Sequence, residues 1–169
     1  MKNLSNLFKE LEMGGNSKVL VYTGNEGLLQ VTLNSLKAKT GISIMEISYS
    51  MNPFIPKEEA DEIRKEFLER NIKVREITNQ PFRDDNYTSV KEFDKKCMDY
   101  RYVDPKKLKI DVETLIYNNV TAFYTYKDDP FCIEVYSEKL AKMQTQVFGY
   151  IWNIAERPIV GKGGRTSLF

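Results

Sequence analysis

Asp111 and Glu113 stand two residues apart in a stretch, residues 108–137, that otherwise reads as three short β-strands. At that spacing in a pleated strand both carboxylates project from one face, and Ile110, Val112, Thr114 and Ile116 project from the other. Paired carboxylates can serve as general acid and base, or accept hydrogen bonds from hydroxyl groups. Two readings are open: a solvated strand face, or a face bordering a pocket. Arg101, between Tyr100 and Tyr102, is a second candidate, because a guanidinium grips anions and stacks on rings. Its structural alternative is an ion pair with Asp99 or Asp104. A third candidate is the turn Thr23-Gly24-Asn25-Glu26-Gly27, which can aim backbone N–H groups at an anion from a helix start. Against it, Glu26 repels an anion, and two glycines make neither a dinucleotide nor a P-loop fingerprint.

The composition removes several chemistries. The chain of 169 residues contains no histidine. Ser-His-Asp and Cys-His machinery, histidine phosphodiesterase chemistry and histidine metal ligation are therefore excluded. Cys97 and Cys132 lack metal-type spacing, so no metal and no cofactor is expected. With 25 basic and 24 acidic residues the net charge is +1, without the basic surplus of a non-specific nucleic-acid binder. The cluster Lys106, Lys107 and Lys109 reads as a solvated loop and strand start. No apolar run is long enough for a membrane span, and residues 1–15 lack the apolar core of a signal peptide. A cytoplasmic protein with reduced thiols is expected.

The elements that must position these residues follow from periodicity. Leu4, Leu7, Phe8 and Leu11 are spaced for a short amphipathic helix over residues 3–13. Residues 18–22 form a strand with the pattern of burial on both faces, and residues 28–39 a helix. Residues 42–49 make a second strand. Residues 50–56 are a loop with two prolines that either lies over a pocket or is a packed connection. Residues 57–70 make a helix with Asn71 as its C-terminal cap, and residues 72–77 a third strand. This β-α-β-α-β order implies parallel strands with helices packed on the sheet. Ligands then bind beyond the carboxyl ends of the strands, here Thr23-Gly24-Asn25, Ser48-Tyr49-Ser50 and Thr78-Asn79-Gln80. Residues 82–99 read as a loop with a short helix over 90–97. The three-strand meander follows, turning at Asn118-Asn119, and Ser137 caps a long helix over 138–156. The glycine-rich residues 158–169 read as a flexible tail.

The succession VLVYTGNEGL, IKVREI, RYVDPKKLKIDVETLIYNNVTAFYTYKDDPFCIEVYS and VFGYIWNIAE, spanning residues 18–156, resembles the C-terminal effector domain of TrmB-type transcriptional regulators. The resemblance implies an α/β, phospholipase-D-like mixed sheet, with β-α-β-α-β followed by a hairpin or meander and a long C-terminal helix. It implies a linker-like N-terminal helix over 1–15 and a sensor domain over 16–157. Members of that family carry a winged helix-turn-helix ahead of this domain. None precedes it in this sequence, so direct nucleic-acid binding is not expected.

Catalytic phospholipase D enzymes use H-x-K-x4-D at the first hairpin strand. The matching positions are Asp111, Glu113 and Asn118. The nucleophile is replaced by an acid and the phosphate-binding cation by an anion, so two like charges would meet. The resemblance therefore implies a non-enzymatic regulatory domain: a homodimer that binds a sugar-like effector or a partner protein and influences transcription. The alternative is a divergent hydrolase using its carboxylates. Ligand groups expected on this basis are Gly24, Asn25, Tyr49, Asn79, Arg101, Asp111 and Glu113, with no catalytic residue among them.

Overall fold

The computed structural model describes residues 8–12, 17–48, 50–82, 85–127, 131–157, 159–160 and 166–167. An eight-stranded sheet runs through the molecule in the order β1-β2-β8-β7-β6-β3-β4-β5. Its strands are β1 (Phe8–Glu12), β2 (Lys18–Thr23), β3 (Ile42–Glu46), β4 (Val74–Thr78), β5 (Met98–Tyr102), β6 (Glu113–Tyr117), β7 (Val120–Thr125) and β8 (Phe131–Tyr136). The helices are α1 (Gly24–Ser35), α2 (Lys57–Glu69), α3 (Phe93–Cys97) and α4 (Glu138–Ile154). None of the helices among the described residues is long and apolar enough to cross a membrane.

The mixed α/β sheet expected from the sequence is present, with a different internal order. β3, β4 and β5 are mutually parallel, and the antiparallel meander β6-β7-β8 lies between β3 and β2. The crossover through α1 therefore spans three inserted strands, which element order alone cannot reveal. No strand was expected at β5. Its sequence, MDYRY, alternates Met98, Tyr100 and Tyr102 with Asp99 and Arg101, the period of a strand, and it forms the outermost strand of the parallel side.

The N-terminal helix expected over 1–15 is corrected where the structure describes it. Phe8–Glu12 is a strand, antiparallel to β2, with Phe8 opposite Tyr22 and Glu12 opposite Lys18. An isolated eleven-residue helix is marginal in water. The open edge of β2 offers backbone partners, and pairing satisfies them. In the segment expected as a flexible tail, Ile159–Val160 and Thr166–Ser167 form a two-residue antiparallel ladder.

Each face of the sheet has its own core. Leu115, Tyr117, Ile44, Ala122 and Tyr124 face α1, α2 and α3, together with Phe54, Phe67 and Phe93. Ile116, Ile77 and Met45 face α4, against Phe148 and Trp152. α4 begins at the expected cap, where the Ser137 hydroxyl accepts from the Leu140 N–H at 3.4 Å. Asn71 adopts φ 55°, the left-handed conformation that ends α2. Gly27 is required by contact, since a Cβ there would stand 2.8 Å from Tyr22 Cβ.

Candidate functional site

The carboxyl ends of β2, β3, β4 and β7 and the start of β6 meet at one rim of the sheet, as their registers dictate. Glu113 opens β6 there, opposite Tyr124 on β7. On its other side the β6–β3 pairing, read one step beyond Met45–Thr114, brings it beside Glu46. Glu46 in turn pairs with Thr78 of β4, and Glu76 lies two residues back on that strand. Residues alternate sides along a strand, so Tyr124, Glu113, Glu46 and Glu76 share the face toward α2 and α3. All four are buried; Glu113 and Glu76 are each 1% exposed.

A cavity of about 80 Å³ opens beside this row, between the sheet and α2 and α3. Glu46, Glu76 and Tyr124 line it on the sheet side, and Phe54, Phe67 and Arg64 on the helix side. It has room for a few waters or one small ligand. The loop over residues 50–56, left open as a lid or a packed connection, forms part of its wall. Phe54 packs edge-on to Tyr124 at 6.3 Å and against Tyr126 at 5.5 Å.

Arg64 is the one cation among the described lining residues, and its donors are committed. Its Nη1 donates to Asp61 Oδ1 at 2.8 Å and to the Tyr87 carbonyl at 3.2 Å. Its Nη2 donates to Asn52 Oδ1 at 3.0 Å and Ser50 Oγ at 3.4 Å, and the group lies over the Tyr87 ring at 4.8 Å. Burial pushes the Asp61 carboxyl up, but bonds from Ser89, Thr88 and Arg64 outweigh it and hold the acid well below the usual range. This buried pair fastens the loops over 50–52 and 87–89 to α2. The burial of Asp61 and Arg64 carries no signal in the sequence, because an Arg–Asp pair three apart also suits an exposed helix face.

Glu113 accepts from the Ile47 N–H through its Oε1 at 3.3 Å. Its Oε2 is buried without a hydrogen-bond partner. Burial pushes this carboxyl up to about 8, and the neighbouring Glu76 carboxylate adds to the rise. The Tyr124 hydroxyl and the backbone N–H groups of Ile47 and Ser48 pull the other way and lose.

The remaining candidates part company in space. Asp111 does not share a strand face with Glu113. The strand begins at Glu113, and Asp111 sits in the preceding irregular segment, solvent-exposed and 3.0 Å from Lys109 Nζ. Arg101 projects to the opposite face, where it stacks on Trp152 at 4.5 Å and donates to the Trp152 carbonyl. Neither Asp99 nor Asp104 is its partner in that contact; α4 is. Asn79 is at the rim, but its amide donates to the carbonyls of Val103 and Leu108 at 2.8 and 2.9 Å, and its oxygen accepts from the Ile110 N–H at 2.7 Å. It clamps the chain leading into β6. Gly24, at φ 67°, and Asn25 are exposed at the start of α1. Tyr49 lies outside the described residues. Asn118, at φ 49°, sits at the far end of β6 and clasps the segment after α1, accepting from the Lys39 N–H at 3.0 Å and donating to the Lys37 carbonyl at 2.9 Å.

The site can thus accept hydrogen bonds through its buried carboxylates, within aromatic walls. It offers no uncommitted cation among the described lining residues for a phosphate. Glu46 and Glu76 were missed in sequence; Glu46 falls between Met45 and Ile47, the signal that marks a buried acid, whereas Glu76 follows Arg75 and carries no such signal.

No family model matches the chain, and no curated protein matches it in sequence. Solved structures share its fold. It is similar to NucT from Helicobacter pylori at TM-score 0.63 and 10% identity, covering 83% of this chain and 99% of NucT. It is similar to Nuc from Salmonella typhimurium, a phospholipase D family member, at TM-score 0.58 and 15% identity, covering 83% and 97%. It is similar to TrmBL2, an archaeal chromatin protein, at TM-score 0.56 and 14% identity, covering 91% of this chain. The chain spans 58% of the length of TrmBL2. The phospholipase-D-like fold, shared with part of a TrmB-like protein, is therefore the fold of this chain.

Proposed function

We propose that this chain is a non-catalytic regulatory module, a phospholipase-D-like domain turned into a receptor for a small effector. The observation that carries it is the fate of the three motif positions. Asp111 is solvated, Glu113 is a buried acid, and Asn118 is a turn clamp. None supplies a nucleophile or a phosphate-binding cation. The cavity beside Glu113 is the ligand site in this reading, and its acceptor-rich, aromatic wall suits hydroxyl-bearing or positively charged molecules. By analogy with TrmB-type regulators, the module works as a cytoplasmic homodimer that influences transcription, through its effector or a regulatory protein partner.

The test has two arms. The purified chain should not turn over bis(p-nitrophenyl) phosphate, and its melting temperature should rise with at least one member of a panel of small polar metabolites. Turnover abolished by Glu113→Gln would instead establish the second reading, a divergent hydrolase. One observation favours that reading: a carboxyl held protonated at neutral pH is a ready general acid. Asp111, the base it would need, is exposed and engaged with Lys109.

A further inference from the structure

We propose that Arg75 and Arg101, on the sheet face opposite the cavity, form a binding site for the phosphate group of a small phosphorylated molecule. The site is separate from the cavity, so the inference goes beyond the receptor reading and does not depend on it.

The fold brings the two guanidiniums together. Arg75 lies on β4 two residues before Ile77, and Arg101 on β5 pairs with Ile77. Ile77 packs with Phe148 and Trp152 of α4, so both arginines share that face. α4 lies over β7, β6 and β3, with β4 and β5 at its flank. Arg75 Cζ is 5.2 Å from the Phe148 ring centre and 5.6 Å from that of Trp152. Arg101 Cζ is 4.5 Å from the Trp152 ring centre. Part of this arrangement is structural. Ring faces hold guanidiniums, and the Arg101 bond to the Trp152 carbonyl satisfies the last turn of α4.

Three observations point past that role. The first is charge. Each arginine makes one hydrogen bond among the described residues, Arg75 Nη2 to Ser43 Oγ at 3.0 Å and Arg101 Nη1 to that carbonyl. Neither acceptor is a carboxylate, so two cations share one indole. Asp99 stands exposed beside Arg75 in the strand register, yet neither guanidinium donates to it. Glu156, bridged to Tyr102 of β5, lies 3.8 Å from Lys107 Nζ. The second is open donors. Arg101 Nε is buried without a hydrogen-bond partner, and Nη2 has none among the described residues. These two nitrogens form the side-on fork of the guanidinium, the edge that grips an oxyanion bidentately. Arg75 Nε and Nη1 are likewise uncommitted among the described residues. The third is the number of acceptors that two such groups require. A carboxylate has two oxygens and one charge. A phosphate monoester has three terminal oxygens and up to two charges, enough for both arginines. The net charge of +1 gives no wider basic surface for a nucleic-acid backbone.

Trp152 is the one tryptophan of the chain, so its fluorescence reports on the site directly. Inorganic phosphate is titrated into the full chain at constant ionic strength, with chloride and acetate as comparison anions and calorimetry as a second readout. The expected result is a saturable change in Trp152 emission with phosphate and none with chloride or acetate. Arg75→Gln changes an exposed side chain and leaves the Arg101–Trp152 contact in place, so the fold should survive. It should weaken phosphate binding about tenfold or more. Arg101→Lys keeps the charge, loses the fork, and should weaken binding similarly. Absence of a saturable response, or a response equal in wild type and Arg75→Gln, would overturn the proposal. Acetate binding as tightly as phosphate would overturn the choice of ligand class. Tighter binding of a duplex oligonucleotide, lost in the same variants, would replace the small molecule with a nucleic-acid backbone. Each of these results leaves the receptor reading of the cavity where it stands.

Discussion

Glu113 and Glu134 lie on one face of one sheet, at 1% and 0% exposure, and their surroundings give them opposite roles. Glu134 receives three tyrosine hydroxyls and the Asn34 amide, at 2.9–3.1 Å. Removing that acceptor would take a hydrogen bond from four donors, three of them buried, so Glu134→Ala should cost ~3–5 kcal/mol, read from urea unfolding. Glu113 accepts from the Ile47 N–H at 3.3 Å, and burial pushes it up from 4.5 to about 8. Between those values the folded state holds a proton that the unfolded state has released. The stability contributed by this group is fully present below pH 4.5 and is lost as the pH rises through about 8. Wild-type urea midpoints should therefore fall between about pH 6 and pH 9, and Glu113→Gln, which cannot release a proton, should fall less. Equal slopes would show that Glu113 is ionised throughout.

Two local clamps determine where the elements sit. Arg64 ties α2 to both neighbouring loops, and its side chain is 1% exposed. Arg64→Met keeps the bulk but strands Asp61 and the loop acceptors. It should cost ~3–5 kcal/mol and, in a proteolysis assay, expose the segment around residues 85–90 before global unfolding. Asn118 combines a left-handed backbone with two bonds to the segment after α1. Asn118→Gly preserves the turn and removes both bonds, so a loss of ~1–2 kcal/mol isolates their contribution in the same urea assay. β1 carries a lesson at this scale. Its sequence, FKELE, has no strand-like apolar alternation, and it is drawn into the sheet by an unpaired edge that exists only once β2 has formed.

On the outer side of α4, Met143, Val147, Tyr150 and Ile154 are exposed at 43–71%, spaced four, three and four residues apart. That spacing makes one continuous stripe along the helix. The proposed homodimer predicts that this stripe is covered in the assembly. Sedimentation should then show a dimer for the wild type and a monomer for Val147→Asp/Tyr150→Asp, with unchanged far-UV circular dichroism. A monomeric wild type at tens of micromolar would remove the dimer from the proposed function.

The order of strands and helices from β2 through α4, β5 excepted, the caps at Ser137 and Asn71, and the absence of histidine chemistry were all determined by the sequence. Those features depend on local periodicity, backbone preference and residue identity, which neighbours along the chain express directly. Only the tertiary structure decided which strands adjoin, that Asp111 and Glu113 part at the strand's first residue, and that Glu46 and Glu76 join Glu113 beside a cavity. The physical reason is that a carboxylate's environment is assembled from several strands at once. Pairing register across the sheet sets its burial and its donors, and no single stretch of chain contains that information.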